Sequence, residues 1–229
     1  MLFKQLFDTK SSTYTYIVSS GKGREALIID PVIDNTDEYI NVLKNLDLKL
    51  VKVIDTHIHA DHVSGLNELS KRTKCSKIMG EHSSSEVLDI RVKDNEKIKI
   101  ENIELISIYT PGHTDCSYSF LMNDKVFTGD TLLINGTGRT DFQNGNALDQ
   151  YESIFKKLLK LPEKTLVYPA HDYKGKKYST IRDEKNNNPR LQVTSSQEYI
   201  KIMNNLKLDD PKMMNIAITA NKRGITLDQ

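Results

Sequence analysis

Leu50-Val51-Lys52-Val53-Ile54-Asp55-Thr56-His57-Ile58-His59-Ala60-Asp61-His62 is the stretch on which the reading of this chain turns. A near-continuous apolar run, of the kind that forms a buried strand, gives way at once to three imidazoles and a carboxylate. The chain has six histidines, and three of them stand in this one loop. Chance does not concentrate them so, and a strand that ends in such a loop aims several side chains at one point. Imidazole nitrogen and carboxylate oxygen suit zinc, iron or manganese, and the lack of thiolate in the cluster disfavours a structural zinc knot. The stretch reads as a catalytic metal site at a strand end.

Three more strand ends carry the same chemistry. Tyr109-Thr110-Pro111-Gly112-His113-Thr114 places a histidine on a Pro-Gly turn after an apolar segment. Phe127-Thr128-Gly129-Asp130-Thr131 puts a carboxylate where a chain would leave a sheet, and Leu166-Val167-Tyr168-Pro169-Ala170-His171-Asp172-Tyr173 again ends a strand in a histidine. Taken singly, His113 is also a common turn residue and Asp130 a common turn former or helix cap. The conjunction of four strand ends is far more specific than any member. His82, in Glu81-His82-Ser83, stands outside it and reads as a surface loop or helix start.

Around these ends the chain alternates strands and helices. Strands are expected at Leu2 to Leu6, Thr13 to Ser19, Ala26 to Ile29, Leu50 to Asp55, Ser76 to Met79, Ile98 to Ile100, Glu104 to Tyr109, Tyr118 to Leu121, Lys125 to Thr128 and Thr165 to Tyr168. Helices are expected at Asp37 to Leu46, with Asp34 or Asn35 as cap, and near Ser64 to Thr73, Asp149 to Leu161 and Ser196 to Leu206. Strands come in two batches, each followed by helix. No Gly/Pro/Ser-rich linker and no fixed repeat interrupts them, so residues 1–229 read as a single α+β domain: two mixed sheets face to face, helices outside, and the site in the loops at one end.

Composition limits the partners. Lys+Arg of 32 against Asp+Glu of 31 leaves a formal charge of +1, which supports neither a nucleic-acid nor a membrane-surface partner. Two cysteines, Cys75 and Cys116, make no disulfide framework and fit a reducing compartment. Met1 to Leu6 lacks the apolar core of a signal peptide, and no apolar run approaches the length of a membrane span. A soluble cytoplasmic protein is expected.

The series His57-Ile58-His59-Ala60-Asp61-His62, Pro111-Gly112-His113-Thr114, Gly129-Asp130 and Ala170-His171 resembles the metallo-β-lactamase superfamily. That resemblance implies an αββα sandwich with a metal at the sheet edge. Gly136-Thr137-Gly138-Arg139-Thr140-Asp141-Phe142, Tyr168 to Gly175 and Asn188-Pro189-Arg190-Leu191 are similar to the persulfide dioxygenase branch (the sulfur dioxygenases, or ethylmalonic encephalopathy protein family). The branch implies one iron(II) per chain bound by His57, His113 and Asp130, a facial triad that leaves room for O2 and sulfur. It implies glutathione persulfide as substrate, sulfite and glutathione as products, and a homodimer. His59, Asp61, His62 and His171 are then expected to orient ligands by hydrogen bonding; the competing reading has Asp61, His62, Asp130 and His171 bind a second metal. Arg139 is the first candidate for a glutathione carboxylate, against a structural role bonding loop carbonyls. Tyr173 is a candidate for the peptide, and Arg223 a weaker one on a C-terminal segment that closes the pocket.

Some positions depart from the branch. Cys116 stands where glycine is usual, Thr137 where cysteine is common, and Thr219 where a proline precedes Ala-Asn. None removes a proposed ligand. Two rival functions remain: a di-zinc hydrolase of glutathione thioesters of the glyoxalase II type, and a non-catalytic persulfide- or metal-binding sensor module. About forty residues follow Asn188, too few for the extra helical domain of glyoxalase II. A nuclease lacks the basic surplus that phosphates demand.

Overall fold

Thr13–Ser19, a run of β-branched and aromatic residues, forms the strand β2 and is buried at every position, so both of its faces are covered. The computed structural model describes residues 1–210 and 213–226. β2 pairs antiparallel with β1 (Leu2–Asp8) and β3 (Glu25–Ile29). Pairing then turns parallel through β4 (Lys49–Ile54), β5 (Ser76–Gly80) and β6 (Ile90–Val92). Parallel neighbours need crossovers; α1 (Thr36–Asn45) and α2 (Leu66–Thr73) carry two of these.

The second sheet has the order β12-β11-β10-β9-β8-β7. Its strands are β7 (Lys97–Ile100), β8 (Ile103–Tyr109), β9 (Tyr118–Met122), β10 (Lys125–Gly129), β11 (Leu166–Pro169) and β12 (Ser179–Thr180). Only β10 and β11 run parallel, and α3 (Ala147–Glu152) lies in their crossover. α4 (Ile181–Asn187), α5 (Ser196–Asn204) and α6 (Met214–Arg223) follow.

Three apolar clusters explain the layering. β3 shows the rule: Leu27 and Ile29 face the second sheet among Tyr16, Phe120 and Phe127, while Ala26 and Ile28 face outward with Leu43 and Leu69 of the helices. Alternation along one strand thus feeds two cores. On the far side, Val126 and Val167 meet Ile154, Leu158 and Tyr199. The result is the expected αββα sandwich of two mixed six-stranded sheets.

Several expectations need correction. The helix expected at Asp149 to Leu161 starts at Ala147, because the Asn146 side chain accepts from Leu148 N and Asp149 N. It then widens into a π turn over Ser153–Lys157 and tightens into a 3₁₀ turn over Leu158–Lys160. The helix expected from Ser64 starts at Leu66, since Ser64 bridges to Val32 and its hydroxyl accepts from Leu66 N. Asn35 does stand at the α1 N-terminus, yet its amide donates to Asp8 Oδ1 (3.2 Å) instead of capping. β6, β12, α4 and α6 were not expected. No helix among the described residues is long and apolar enough to cross a membrane.

Candidate metal centre

Four strands deliver the donors to one end of the sandwich. The histidine loop follows β4, His113 follows β8, Asp130 follows β10 and His171 follows β11. Tyr118 N donates to Thr56 O (2.9 Å), which ties the loop of one sheet to a strand of the other. Ligand atoms of His57, His113 and Asp130 lie within 4.8 Å of one another, and so do those of His59, Asp61, His62 and His171. The rings of His57 and His113 are 4.9 Å apart and nearly perpendicular (84°). Asp130 Oδ2 is 3.6 Å from His113 Nε2.

Hydrogen bonds fix which nitrogen of each ring is free. Thr56 Oγ1 donates to Asp30 Oδ2 (3.0 Å), so its lone pair takes Nδ1–H of His57 (2.9 Å). His113 Nδ1 donates to the Arg139 carbonyl (2.7 Å), and His171 Nδ1 to Ser12 O (3.2 Å). His59 donates Nε2–H to Asp30 Oδ1 (3.2 Å), and His62 Nδ1 lies 3.0 Å from Asp61 Oδ2. His57, His59, His62 and His113 each have one nitrogen tied and one left over, while His171 Nε2 faces Asp61 (3.3 Å). His59 Nδ1, His62 Nε2 and Asp130 Oδ1 are buried with no hydrogen-bond partner among the described residues. Buried orphan lone pairs are costly, and a cation among them relieves that cost, so the donor set fits a metal.

Charge states follow from the surroundings. Burial, and then the neighbouring rings of His59 and His113, hold His57 well below its ordinary pKa, so it is neutral and ligand-ready. His59 is lowered by burial and by His62. Burial pushes Asp61 and Asp130 up, but the facing histidines outweigh it, and both remain below the usual carboxylate value. His171 is the exception. Burial works against its proton, yet Asp130 and Asp61 (3.7 and 3.3 Å) raise it to about 9.

A cleft of about 480 Å³ opens on Asp61, His113, Asp130 and His171. The segment Gly136–Arg139 forms one wall. A Cβ on Gly138 would stand 2.3 Å from Asp130 O and 2.8 Å from His113 Nδ1, so only glycine lets this wall approach the donors. Tyr173 also lines the cleft, 73% exposed, its ring parallel to His171 at 6.1 Å.

Arg139 lines the cleft, but its guanidinium is already committed. Nε and Nη2 pair with both oxygens of Asp141 (2.7 and 2.8 Å), Nη1 donates to Asp209 O (2.7 Å), and the group stacks on Phe142 at 4.2 Å. This is the structural role weighed against carboxylate binding. Arg223 is exposed on the last turn of α6 and is not among the residues lining the cleft. Asn221 of that helix points at the histidine loop, and two residues further along a helix is a turn of about 200°.

Cys116 is buried among Ile58 and Met79, and burial raises its thiol pKa, so it behaves as a small apolar residue. Thr137 Oγ1 accepts from Arg190 Nη1 (3.1 Å) and from Tyr199 OH (3.3 Å). Sequence reasoning assigned no role to Asp30, Thr56 or Arg190. A signal existed for Thr56, adjacent to His57; Asp30 and Arg190 reach the site only through the fold.

Comparison with known proteins agrees with this architecture. Residues 8–171 match the Metallo-beta-lactamase superfamily. The chain is 41% identical over 226 residues to "Persulfide dioxygenase ETHE1, mitochondrial" of Mus musculus, covering 97% of this chain and 88% of that one. The crystal structure of ETHE1 from Myxococcus xanthus superposes with a TM-score of 0.94 at 44% identity, covering 97% of this chain and 98% of that one. The hydroxyacylglutathione hydrolase of Dictyostelium discoideum is more distant: 31% identical over 190 residues, 78% of this chain and 69% of its own.

Proposed function

We propose, because this chain belongs to the metallo-beta-lactamase superfamily and within it to the persulfide dioxygenases, that it oxidises glutathione persulfide with O2. The balanced reaction takes glutathione persulfide, O2 and water to glutathione, sulfite and two protons. The observation that carries this reading is the convergence of His57, His113 and Asp130, two imidazoles with their outer nitrogens tied and one ionised carboxylate, at the head of an open cleft.

One iron(II) per chain, held by these three residues, would supply a redox-active centre where O2 and the outer persulfide sulfur react side by side. The chain's own residues do the rest. Asp30 and Thr56 keep the His57 proton on Nδ1, and the Arg139 carbonyl does the same for His113; both rings present Nε2 inward. His171 Nε2 stands between Asp61 and Asp130 (3.3 and 3.7 Å) and orients both carboxylates. Arg190, half-buried, and Lys174 line the same cleft. With Arg139 paired to Asp141, these two cations are the better partners for the glutathione carboxylates.

A second reading has one specific observation behind it. His59, Asp61, His62 and His171 form a second four-donor group, which suits a di-zinc thioester hydrolase. Protein purified without added metal separates the two. One iron per chain, with O2 consumed and sulfite formed in equal amounts from glutathione persulfide, supports the dioxygenase. Two zinc ions per chain with turnover of S-lactoylglutathione would refute it.

A further inference from the structure

The histidine loop has no ladder of its own. Between β4 and α2 its backbone groups must find partners elsewhere or stay unsatisfied in a buried setting. We infer that Asn221, on α6, is a positioning residue of the metal centre, whose carboxamide clasps the neck of the loop that carries His59, Asp61 and His62.

Asn221 lies 159 residues beyond His62 in the chain and is buried. Its Nδ2 donates to two carbonyls, His59 O (2.9 Å) and His62 O (3.0 Å). Its Oδ1 accepts from Ser64 N (2.8 Å). Two carbonyls face one side of the amide and an N–H faces the other, so the partners settle its orientation. The two carbonyls bracket Ala60 and Asp61, and joining them through one amide closes the turn that aims Asp61 and His62. α6 is itself held from outside the site: Glu86 N donates to Lys222 O (2.8 Å). The opposite flank of the loop is held at Ile58 O by Gln143 Nε2 (2.7 Å). Only a primary carboxamide supplies two donors and an acceptor in one plane, and that of glutamine would stand one methylene further out. Aspartate, of the same shape, would set its oxygens against two carbonyls.

The inference rests on the metal-binding reading above, and the test separates the two. Cobalt(II) binding is measured by competition with a chelator, and its visible absorption reports the donor arrangement. Asn221→Ala and Asn221→Asp are expected to weaken cobalt affinity about 10-fold, the lower end for losing an orienting partner, because the loosened loop also carries His57, and to shift the spectrum. Ile218→Ala removes an α6 side chain packed on the outer core and is expected to keep wild-type affinity and spectrum. Unchanged cobalt binding in both Asn221 variants, or an equal loss in Ile218→Ala, overturns the assignment to the amide. If neither Asn221 variant folds, hydrogen exchange at the Ser64 amide of the wild type decides: slow exchange supports the clasp, and exchange at the rate of an unfolded peptide overturns it. Wild-type protein that binds no cobalt sinks the metal centre itself.

Discussion

Asp130 supplies the only carboxylate of its three-donor group. Asp130→Ala leaves two neutral imidazoles to hold a dication, so iron and activity are expected to fall together, measured by elemental analysis and sulfite formation on one preparation. Full iron with full turnover would show the assignment to be wrong. His171 gives a pH signature in the metal-free protein. Its folded pKa of about 9 lies above the unfolded value near 6.5. The stability it contributes is therefore complete below about pH 6.5 and lost as pH rises toward 9. Melting temperature of the metal-free protein is expected to drop across that window, and His171→Gln to flatten the drop. Arg139→Ala frees Asp141 and releases the carbonyls of Leu208 and Asp209. Since His113 bonds the Arg139 backbone and the guanidinium is spent on Asp141 and the carbonyls of Leu208 and Asp209, iron is expected to stay while KM rises only severalfold, through a loosened cleft wall. An unchanged KM would confine Arg139 to a role remote from substrate.

Elements that carry strong patterns were readable from sequence, and the donors sit where those elements end. β2 spans Thr13–Ser19 as expected, and β8 and β9 lie within a residue of the strands expected there. β6 and β12 are three and two residues long, too short to hold a period. α4 has polar residues at all positions but its first, so no apolar period marked a helix that buries Ile181 and Glu184. The Gly136–Arg139 wall is an element of another kind, an irregular strip pinned by Arg190 at Thr137 and by Gln150 Nε2 at Gly138 O (3.1 Å). Gly138→Ala forces a methyl against Asp130 O and the His113 ring. It is expected to cost about 1–3 kcal/mol in chemical unfolding and to weaken metal binding, because His113 has nowhere to retreat. Wild-type metal affinity in that variant would mean the wall yields.

At the scale of the whole molecule, the donor cluster lies where two sheets that share an apolar core come together at one end. His57 comes from one sheet and His113, Asp130 and His171 from the other. A metal bound across them stabilises only the folded chain. Stripping it with a chelator is expected to lower the melting temperature by roughly 10 °C, as for a ligand about a thousandfold above its Kd in a chain of this size. An identical melting curve after removal would place the metal elsewhere. The sequence by itself determined the donor types, the strand ends that bear them and the alternation that builds two cores, because these are local properties of short runs. Only the tertiary structure decided which nitrogen of each histidine is free, that Arg139 is spent on Asp141, that Arg223 turns away and that Asn221 reaches the loop. Those depend on hydrogen bonds between residues up to about 160 positions apart, and no local pattern encodes which distant group will complete a valence.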